Sequence, residues 1–314
     1  MNLDGMHHIT MITGDAQRNV DFYADVLGLR LVKKTVNFDA PEAYHLYFAD
    51  EKGSPGSILT WFEFAGARRG QAGAGMVHTI QLGVASEESL GFWGERLNSR
   101  GYANERRERS LTFEDYDGLR FELVVAKDGN PPLRAKHPEI PAEHAILGVE
   151  GARASIARGI DADRGLLTDT LGFTDLGEGE YRLEGDTRHF HWGYDETAER
   201  GIPGAGTVHH IAWHSTDKDH LDWQARVAQA GMQVTPVIDR DYFLSIYFRQ
   251  PQGILFEIAT TSPGFAVDED PDRLGEELRL PKQHEHLRAQ LEGLLTPVHN
   301  PRTARHRDRP PAVR

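Results

Sequence analysis

The 314-residue chain contains no cysteine, and this absence removes several kinds of chemistry at once. Disulfides, thiolate metal sites, iron–sulfur clusters and cysteine nucleophiles are all excluded. Positive charge is also scarce, because 35 Lys and Arg residues stand against 48 Asp and Glu residues, which gives a net charge of -13. A field of that sign repels phosphates, so we expect binding neither to nucleic acid nor to an anionic membrane.

Long hydrophobic runs are missing as well. No segment is continuously apolar over the length of a membrane span, and the start "MNLDGMHHIT" lacks the basic and apolar regions of a secretory signal. We therefore expect a cytoplasmic protein. With 39% hydrophobic and 26% charged residues, the composition is that of a folded globular protein. Small molecules are its expected partners, and the sequence leaves a homo-oligomer open.

What the chain does contain is an internal repeat of four units, each a strand, an amphipathic helix and two or three further strands. The units open with the segments "HHITMITG", "VHTIQLGV", "AILGVEGAR" and "VHHIAWHS". Each predicted helix ends at a glycine, as helix C-caps do, namely Gly28, Gly101, Gly172 and Gly231. Four βαβββ modules that pair into curved mixed sheets make an α+β fold.

We predict that the modules form two domains, residues 1–135 with the first two modules and residues 140–262 with the last two. Residues 263–314 then form a C-terminal extension. Within it, Leu287, Leu291 and neighbouring leucines recur at helical spacing and predict one helix that docks on the body or on a second subunit. The final segment "NPRTARHRDRPPAVR" is basic and has no apolar pattern, so it is predicted to be a mobile tail.

This repeat resembles the vicinal oxygen chelate superfamily, which includes glyoxalase I, fosfomycin-resistance enzymes, bleomycin-binding proteins and extradiol dioxygenases. The resemblance covers about residues 5 to 262. It implies the fold alone, because members of one fold perform different reactions and function must be argued from the site.

Paired histidines become informative when the first strands of the four modules are aligned. His8 and His210 occupy one position, and His7 and His209 occupy the position before it. The second module offers only His78 at that earlier position, and the third offers apolar residues or glycine. Only the first and fourth modules therefore carry the repeated histidine. We predict that His8 and His210 converge on the concave side of one sheet and bind one metal ion.

The third ligand is expected from a last strand, where "ILFEIAT" places Glu257 in an apolar run. A buried carboxylate is costly unless it is paired or binds a cation. The first module has no carboxylate at the aligned place near Thr60, and Glu63 is the nearest candidate. Two imidazoles and one carboxylate leave positions open on an octahedral ion, which is the arrangement of non-haem Fe(II) oxygenases. Glyoxalase-type sites usually add a fourth protein ligand.

A narrower resemblance covers nearly the whole chain. The segments "MHHIT", "YHLYFADEKGSPGSILTWF", "VHHIAW" and "DRDYFLSIYFRQPQGILFEIAT" together resemble the extradiol-type ring-cleaving dioxygenases that open hydroquinones. The resemblance implies Fe(II), with Mn(II) as the alternative, held by residues matching His8, His210 and Glu257. It also implies a small aromatic diol and dioxygen as the two substrates.

The same resemblance assigns roles to residues around the metal. His7, Thr10, Arg240 and Tyr247 correspond to substrate-binding positions, and His209, Tyr247 and Arg240 correspond to catalytic ones. The chemistry requires groups of these kinds. A phenol must lose a proton as it binds iron, and His209 or Tyr247 can relay that proton. The permanent charge of Arg240 can stabilise a phenolate or an enolate.

Three functions remain open at this point. The first is an enzyme that uses Fe(II) and dioxygen to open a hydroquinone-type or catechol-type aromatic diol. The second is a glyoxalase-like isomerase or thiol transferase, in which the metal acts as a Lewis acid without redox change. The third is a metal-free protein that sequesters an aromatic drug. The isomerase predicts activity without oxygen, and the binding protein predicts no bound metal.

Overall fold

A computed structural model describes residues 1–301, and in them the strands form two eight-stranded sheets. The strands are β1 Met6–Thr13, β2 Arg30–Val36, β3 Tyr44–Ala49, β4 Ile58–Glu63, β5 Met76–Val84, β6 Asn104–Arg106, β7 Ser110–Glu114, β8 Arg120–Val125, β9 Val149–Ile156, β10 Phe173–Gly177, β11 Glu180–Glu184, β12 His189–Glu196, β13 Val208–Ser215, β14 Ile238–Asp239, β15 Leu244–Arg249 and β16 Leu255–Thr260.

Helices connect the first and second strands of each module. The α-helices are α1 Ala16–Val20, α2 Glu87–Ser99, α3 His220–Gln229 and α4 Arg288–Leu294; wider π-helical turns span Asp21–Val26 and Leu166–Thr170, and 3₁₀ turns span Asp217–Asp219, Phe265–Val267, Pro271–Arg273 and Lys282–Leu287. The four glycines predicted to end the module helices all have positive φ angles of 71° to 86°, a conformation that glycine adopts at little cost. The prediction of four βαβββ modules in an α+β fold is confirmed.

Each sheet joins two modules that are not neighbours in the sequence. The first sheet has the order β14-β15-β16-β13-β1-β4-β3-β2, so it combines modules one and four. The second has the order β10-β11-β12-β9-β5-β8-β7-β6 and combines modules two and three. Each sheet therefore takes strands from both sides of the boundary between residues 1–135 and 140–262. The division of the chain into those two domains stays a prediction about folding units.

The two faces of the first sheet pack against different partners. Alternating side chains such as Trp61 and Trp213 enter the large hydrophobic core, because successive residues of a strand point to opposite faces. The other face carries a smaller hydrophobic cluster that includes Tyr242 and Phe243. Phe265 of the C-terminal extension belongs to this cluster. The extension therefore packs on the same face of the sheet as the candidate site described below.

A buried ion pair fixes the extension to the sheet. The Lys33 side chain is fully buried on β2, and its Nζ donates hydrogen bonds to Asp268 Oδ1, at 2.6 Å, and to Glu269 Oε2. Its ammonium also lies 4.7 Å from the centre of the Tyr242 ring. Farther along, α4 buries Leu291, which confirms the predicted C-terminal helix. The predicted mobile tail, from residue 302 onward, lies outside the described residues.

No helix within residues 1–301 is both long enough and apolar enough to cross a membrane.

Candidate metal centre

The paired histidines lie at two β-bulges in the centre of the first sheet. Strands β1 and β13 run antiparallel, with His8 opposite Ala212 and Thr10 opposite His210. The pairing skips one residue on each strand, His7 on β1 and His209 on β13. A bulge re-aims the extra side chain, which in a regular strand would point to the opposite face. This geometry explains how two adjacent histidines can serve one site.

The structure brings His8, His210 and Glu257 together. His8 Nε2 lies 3.3 Å from His210 Nε2, and Glu257 Oε2 lies 3.3 Å from the first nitrogen and 3.0 Å from the second. Glu257 is on β16, which runs parallel to β13 with Glu257 opposite Ala212. All three side chains are buried, with exposed fractions of 4% or less for each residue.

The protonation states suit a metal. Burial alone raises the pKa of Glu257, but the facing His8 and His210 imidazoles outweigh it and hold that pKa well below its ordinary value. Burial lowers the pKa of His210, against the opposing effect of Glu257. At neutral pH the site therefore offers an ionised carboxylate and a neutral imidazole, which are the forms that bind metals.

The spacing of the three donor atoms also fits a metal ion. Ligands held at about 2.1 Å with right angles between them stand about 3.0 Å apart, close to the observed separations. Glu257 Oε2 is buried and accepts no hydrogen bond of good geometry from the described residues. Its other oxygen, Oε1, accepts one from Ser245 Oγ. A carboxylate held on one side and left without a donor on the other is suited to binding a cation.

The outer histidine of each pair contacts the inner one. His7 Nδ1 lies 2.9 Å from His8 Nδ1, and His209 Nδ1 lies 2.7 Å from His210 Nδ1. Each inner histidine therefore points its Nε2 at the candidate metal position and has its second nitrogen held by a neighbour. Partners of this kind fix the tautomer and ring orientation of a metal ligand.

The second sheet repeats the bulges without the ligands. Its central pairing of β5 with β9 skips His78 and Glu150, and the positions matching the two inner histidines carry Thr79 and Gly151. The expectation that the third module has only apolar residues or glycine here is wrong for the first position, because the bulge places Glu150 there. His78 Nε2 lies 2.8 Å from Asp195 Oδ2, so this imidazole is held by a surface carboxylate.

A cavity of about 520 Å³ opens beside the three donors. His8 and His210 form part of its wall, and six Phe and Tyr side chains also line it: Phe38, Phe62, Phe64, Phe243, Tyr47 and Tyr247. His209 reaches the cavity and is exposed, and its assignment as a catalytic residue stays a prediction. His7 and Thr10 are buried behind the wall. Their assignment as substrate contacts stays a prediction.

Arg240 and Tyr247 lie together on this wall. Arg240 Nε donates a hydrogen bond of 3.2 Å to the Tyr247 hydroxyl, and its guanidinium carbon lies 5.5 Å from the centre of the Phe38 ring. The turn that carries Arg240 contains Asp241 at φ 63°, a conformation uncommon for a residue other than glycine. The ion pair of Arg240 is with Asp39, at 3.3 Å, rather than with a neighbour in sequence. Because the Asp39 side chain is 79% exposed, the pair is weak and leaves the charge available to the cavity.

Sequence reasoning did not single out the first module's contribution to the wall. His45 and Tyr47 on β3 both line the cavity. His45 Nδ1 lies 2.9 Å from the Tyr47 hydroxyl, and His45 Nε2 lies 2.6 Å from Thr60 Oγ1. Thr60 in turn contacts Thr10, 3.2 Å away. The available signal was the likeness of "YHLYF" at 44–48 to "LSIYF" at 244–248, which belong to the same strand of the repeat.

Comparison with known proteins agrees with the fold described above. The model of the Glyoxalase/Bleomycin resistance protein/Dioxygenase superfamily matches residues 5–123 and 160–258. The chain belongs to this superfamily.

The names of individual relatives specify an activity. The chain is 45% identical over 302 residues to MhqO of Bacillus subtilis (strain 168), named as a proposed ring-cleaving dioxygenase, with 93% of this chain and 96% of MhqO covered. It is 34% identical to the chlorohydroquinone/hydroquinone 1,2-dioxygenase of Sphingobium indicum, with 92% and 95% covered. The crystal structure of a proposed dioxygenase from Bacillus subtilis superposes with a TM-score of 0.88 at 42% identity, covering 95% of this chain and 98% of that one.

Proposed function

We propose that the protein is an Fe(II)-dependent dioxygenase that opens the ring of a hydroquinone-type aromatic diol with O2, with a catechol-type diol as the alternative substrate. The observation that carries the proposal is the donor set of His8, His210 and Glu257 beside an aromatic cavity. Two imidazoles and one carboxylate are the ligands of non-haem iron oxygenases. The names of the relatives agree with this activity.

The donor set favours the dioxygenase over the isomerase. The position on β4 that matches Glu257 on β16 is Thr60, whose hydroxyl is engaged with His45. Glu63 lies three residues farther along and pairs with Thr13, outside the group of donors. Within residues 1–301 the site therefore has one carboxylate rather than the two of a symmetric glyoxalase-type site. Fe(II) bound here would supply Lewis acidity towards a phenolate and redox chemistry towards dioxygen.

The cavity wall suits a flat ring. Phe62 and Phe243 border the cavity from opposite modules, and Phe38 lies beneath the guanidinium of Arg240. Aromatic walls bury the faces of a planar ligand and exclude water from the reacting carbons. Phe64 is 41% exposed and also borders the cavity, so it lies towards the solvent side.

Arg240 and Tyr247 supply the polar contacts on the fourth-module side. Burial alone lowers the pKa of Arg240, but the neighbouring Tyr247 and the acidic groups raise it above its ordinary value, so the side chain stays a cation. Burial raises the pKa of Tyr247, as does the charge of Glu257, so the phenol keeps its proton. A fixed cation and a neutral hydroxyl stabilise negative charge that develops on a substrate oxygen.

His209 is suited to proton transfer. Its Nδ1 contacts the inner histidine of the pair, and its ring reaches the cavity, where its other nitrogen is available to substrate or water. Partial desolvation and the adjacent His210 lower the pKa of His209 to about 3, so this imidazole is neutral at neutral pH and can relay the phenol's proton to water without storing it.

Oxygen uptake tests the proposal. Protein loaded anaerobically with Fe(II) is mixed in an oxygen electrode with a panel of hydroquinones and catechols. We expect uptake that depends on both iron and the diol, and that disappears in His210→Ala protein. The isomerase predicts no uptake with any diol. The metal-free binding protein predicts tight binding of an aromatic ligand with no dependence on iron.

A further inference from the structure

The cavity contains a second tyrosine that is the repeat counterpart of Tyr247. Tyr247 on β15 pairs with Glu257 on β16, and Tyr47 on β3 pairs with Thr60 on β4. Because β3 and β15 are the same strand of the repeat, the two tyrosines occupy matching positions in modules one and four. Both line the cavity, so each module contributes one phenol to the wall.

The partners of the two tyrosines differ in charge. The Tyr247 hydroxyl accepts a hydrogen bond from the Arg240 cation. The Tyr47 hydroxyl is bonded to His45 Nδ1, 2.9 Å away, and the two rings lie 4.1 Å apart. Burial raises the pKa of Tyr47 and lowers the pKa of His45, so both groups are neutral at neutral pH. Module one therefore offers an uncharged hydroxyl, and module four offers one beside a cation.

The same comparison shows why this side of the site is open to a ligand. Ser245 donates to the Glu257 carboxylate, and His45 takes the place of that serine and bonds Thr60 instead. Threonine is too short to reach where a glutamate carboxylate would lie in a symmetric site. The metal donors thus come from both central strands and from β16, while within residues 1–301 the side facing β4 and β3 has no carboxylate donor. A ligand on that side meets the wall formed by Tyr47 and His45.

A para-diol places a specific demand on such a wall. One hydroxyl can bind the metal, and the second lies at the opposite end of the ring, where it needs a partner of its own. A buried hydroxyl without a hydrogen bond weakens binding by on the order of 10-fold or more. A neutral hydroxyl that donates to His45 can accept from the substrate, so it fits an aryl O–H that has kept its proton.

We propose that Tyr47 receives the substrate hydroxyl that is not on the metal, and that His45 is the positioning residue that fixes the direction of the Tyr47 hydroxyl. Together, Tyr47 and His45 thereby select diols with a second hydroxyl at the far end of the ring. This inference rests on the proposed function, because it assigns the two ends of the diol. It makes module four responsible for the charged end of the substrate and module one for the neutral end.

Anaerobic binding to the iron-loaded protein tests the proposal without turnover. Calorimetry compares hydroquinone with phenol, which keeps the metal-binding hydroxyl and lacks the far one. We expect wild-type protein to bind hydroquinone on the order of 10-fold or more tightly than phenol. Tyr47→Phe should reduce that ratio to about one by weakening hydroquinone alone. A purely structural role of Tyr47 would weaken both ligands equally, and that result would overturn the proposal.

Two further variants separate orientation from packing. His45→Ala should lose most of the preference for hydroquinone, and His45→Gln, whose amide can still bond the phenol, should recover part of it. Tyr44→Phe is the matched control, because this tyrosine is on the same strand and bonds the backbone oxygen of Thr296. Its preference should equal that of wild type. A full preference in His45→Ala would overturn the positioning role.

Oxygen uptake by the wild type distinguishes failure of this inference from failure of the proposed function. If wild-type protein consumes oxygen with hydroquinone and Tyr47→Phe keeps the full preference over phenol, the inference fails and the proposed function stands. If wild-type protein consumes no oxygen with any diol, the proposed function fails and the inference fails with it.

Discussion

Replacing Glu257 by glutamine tests the metal centre with the smallest change of shape. Glutamine keeps the size of the side chain and can keep the hydrogen bond from Ser245, but it removes the negative charge that faces two imidazole nitrogens at 3.0 and 3.3 Å. Losing a group that only orients a ligand already costs about 10- to 100-fold in metal affinity. The loss of an anionic ligand should therefore cost on the order of 100-fold or more.

The stability of the iron-loaded protein converts this loss into a measurable quantity. Free iron at 100 times its dissociation constant stabilises the fold by about 2.7 kcal/mol. If Glu257→Gln raises the constant about 100-fold, the same iron concentration stabilises the variant by only about 0.4 kcal/mol. Anaerobic urea unfolding with and without Fe(II) measures both values, and elemental analysis gives the iron content.

Two controls come from the second sheet. His78→Ala removes a histidine at the matching bulge, and Glu150→Gln removes a buried carboxylate from the other bulge. Both should keep full iron content and the full iron-induced stabilisation. Equal stabilisation by iron in wild type and in Glu257→Gln would refute the assignment. Loss of iron in His78→Ala would mean that the metal lies on the second sheet, contrary to the assignment.

Three further outcomes follow from the contacts. Tyr247→Phe should keep its iron and lose on the order of 100-fold in turnover by oxygen electrode, the scale for a positioned donor; an unchanged rate would remove this residue from the mechanism. Lys33→Ala leaves the Glu269 carboxylate buried without its ammonium, so urea unfolding should show a loss of about 3–5 kcal/mol, and a loss below 1 kcal/mol would count against the ion pair. Burial lowers the pKa of His45 and of His220, so below about pH 6.5 the unfolded chain binds protons that the folded apo-protein does not. The free energy of unfolding should therefore decrease as the pH is lowered, by up to ~1.4 kcal/mol per pH unit for each such histidine. A flat profile from pH 7 to 5 would contradict this.

The repeat made the fold and the donors predictable. A module that occurs four times has matching positions, and His8 and His210 stand out as the only matched histidines at the inner position. Glu257 stands out because a carboxylate in an apolar strand needs a partner. These inferences depend only on local sequence and on the symmetry of paired modules. The structure brings the three residues together as that symmetry requires.

Features that depend on strand pairing were not predictable in the same way. The predicted domains group module one with module two, but the matched histidines already require modules one and four to share a sheet, and they do. The bulges at His7 and His209 appear only in the register between the two central strands. His45 alternates with apolar neighbours as any strand residue does, and its role emerges only when Thr60 is found opposite Tyr47. The sequence contains these residues, but their contacts form only when the strands pair.

Ion pairs between segments that are distant in the chain could likewise not be predicted from the sequence. The partner of Arg240 is Asp39, about two hundred positions away, although Asp239 and Asp241 flank it directly. Asp241 N donates to Asp239 Oδ1 within the turn, so one neighbouring carboxylate is engaged with the backbone. Local charge patterns predict pairs within helices well, but they do not predict which loop approaches a turn across a cavity.

The ratio of oxygen consumed to hydroquinone consumed tests the central claim most directly. Wild-type protein loaded anaerobically with Fe(II) is given hydroquinone and a measured amount of oxygen, and benzoquinone and hydrogen peroxide are assayed in the same sample. Ring opening by a dioxygenase puts both oxygen atoms into the product, so the account predicts one O2 per hydroquinone with neither by-product. Uptake accompanied by stoichiometric benzoquinone, or no uptake with any diol, would contradict it.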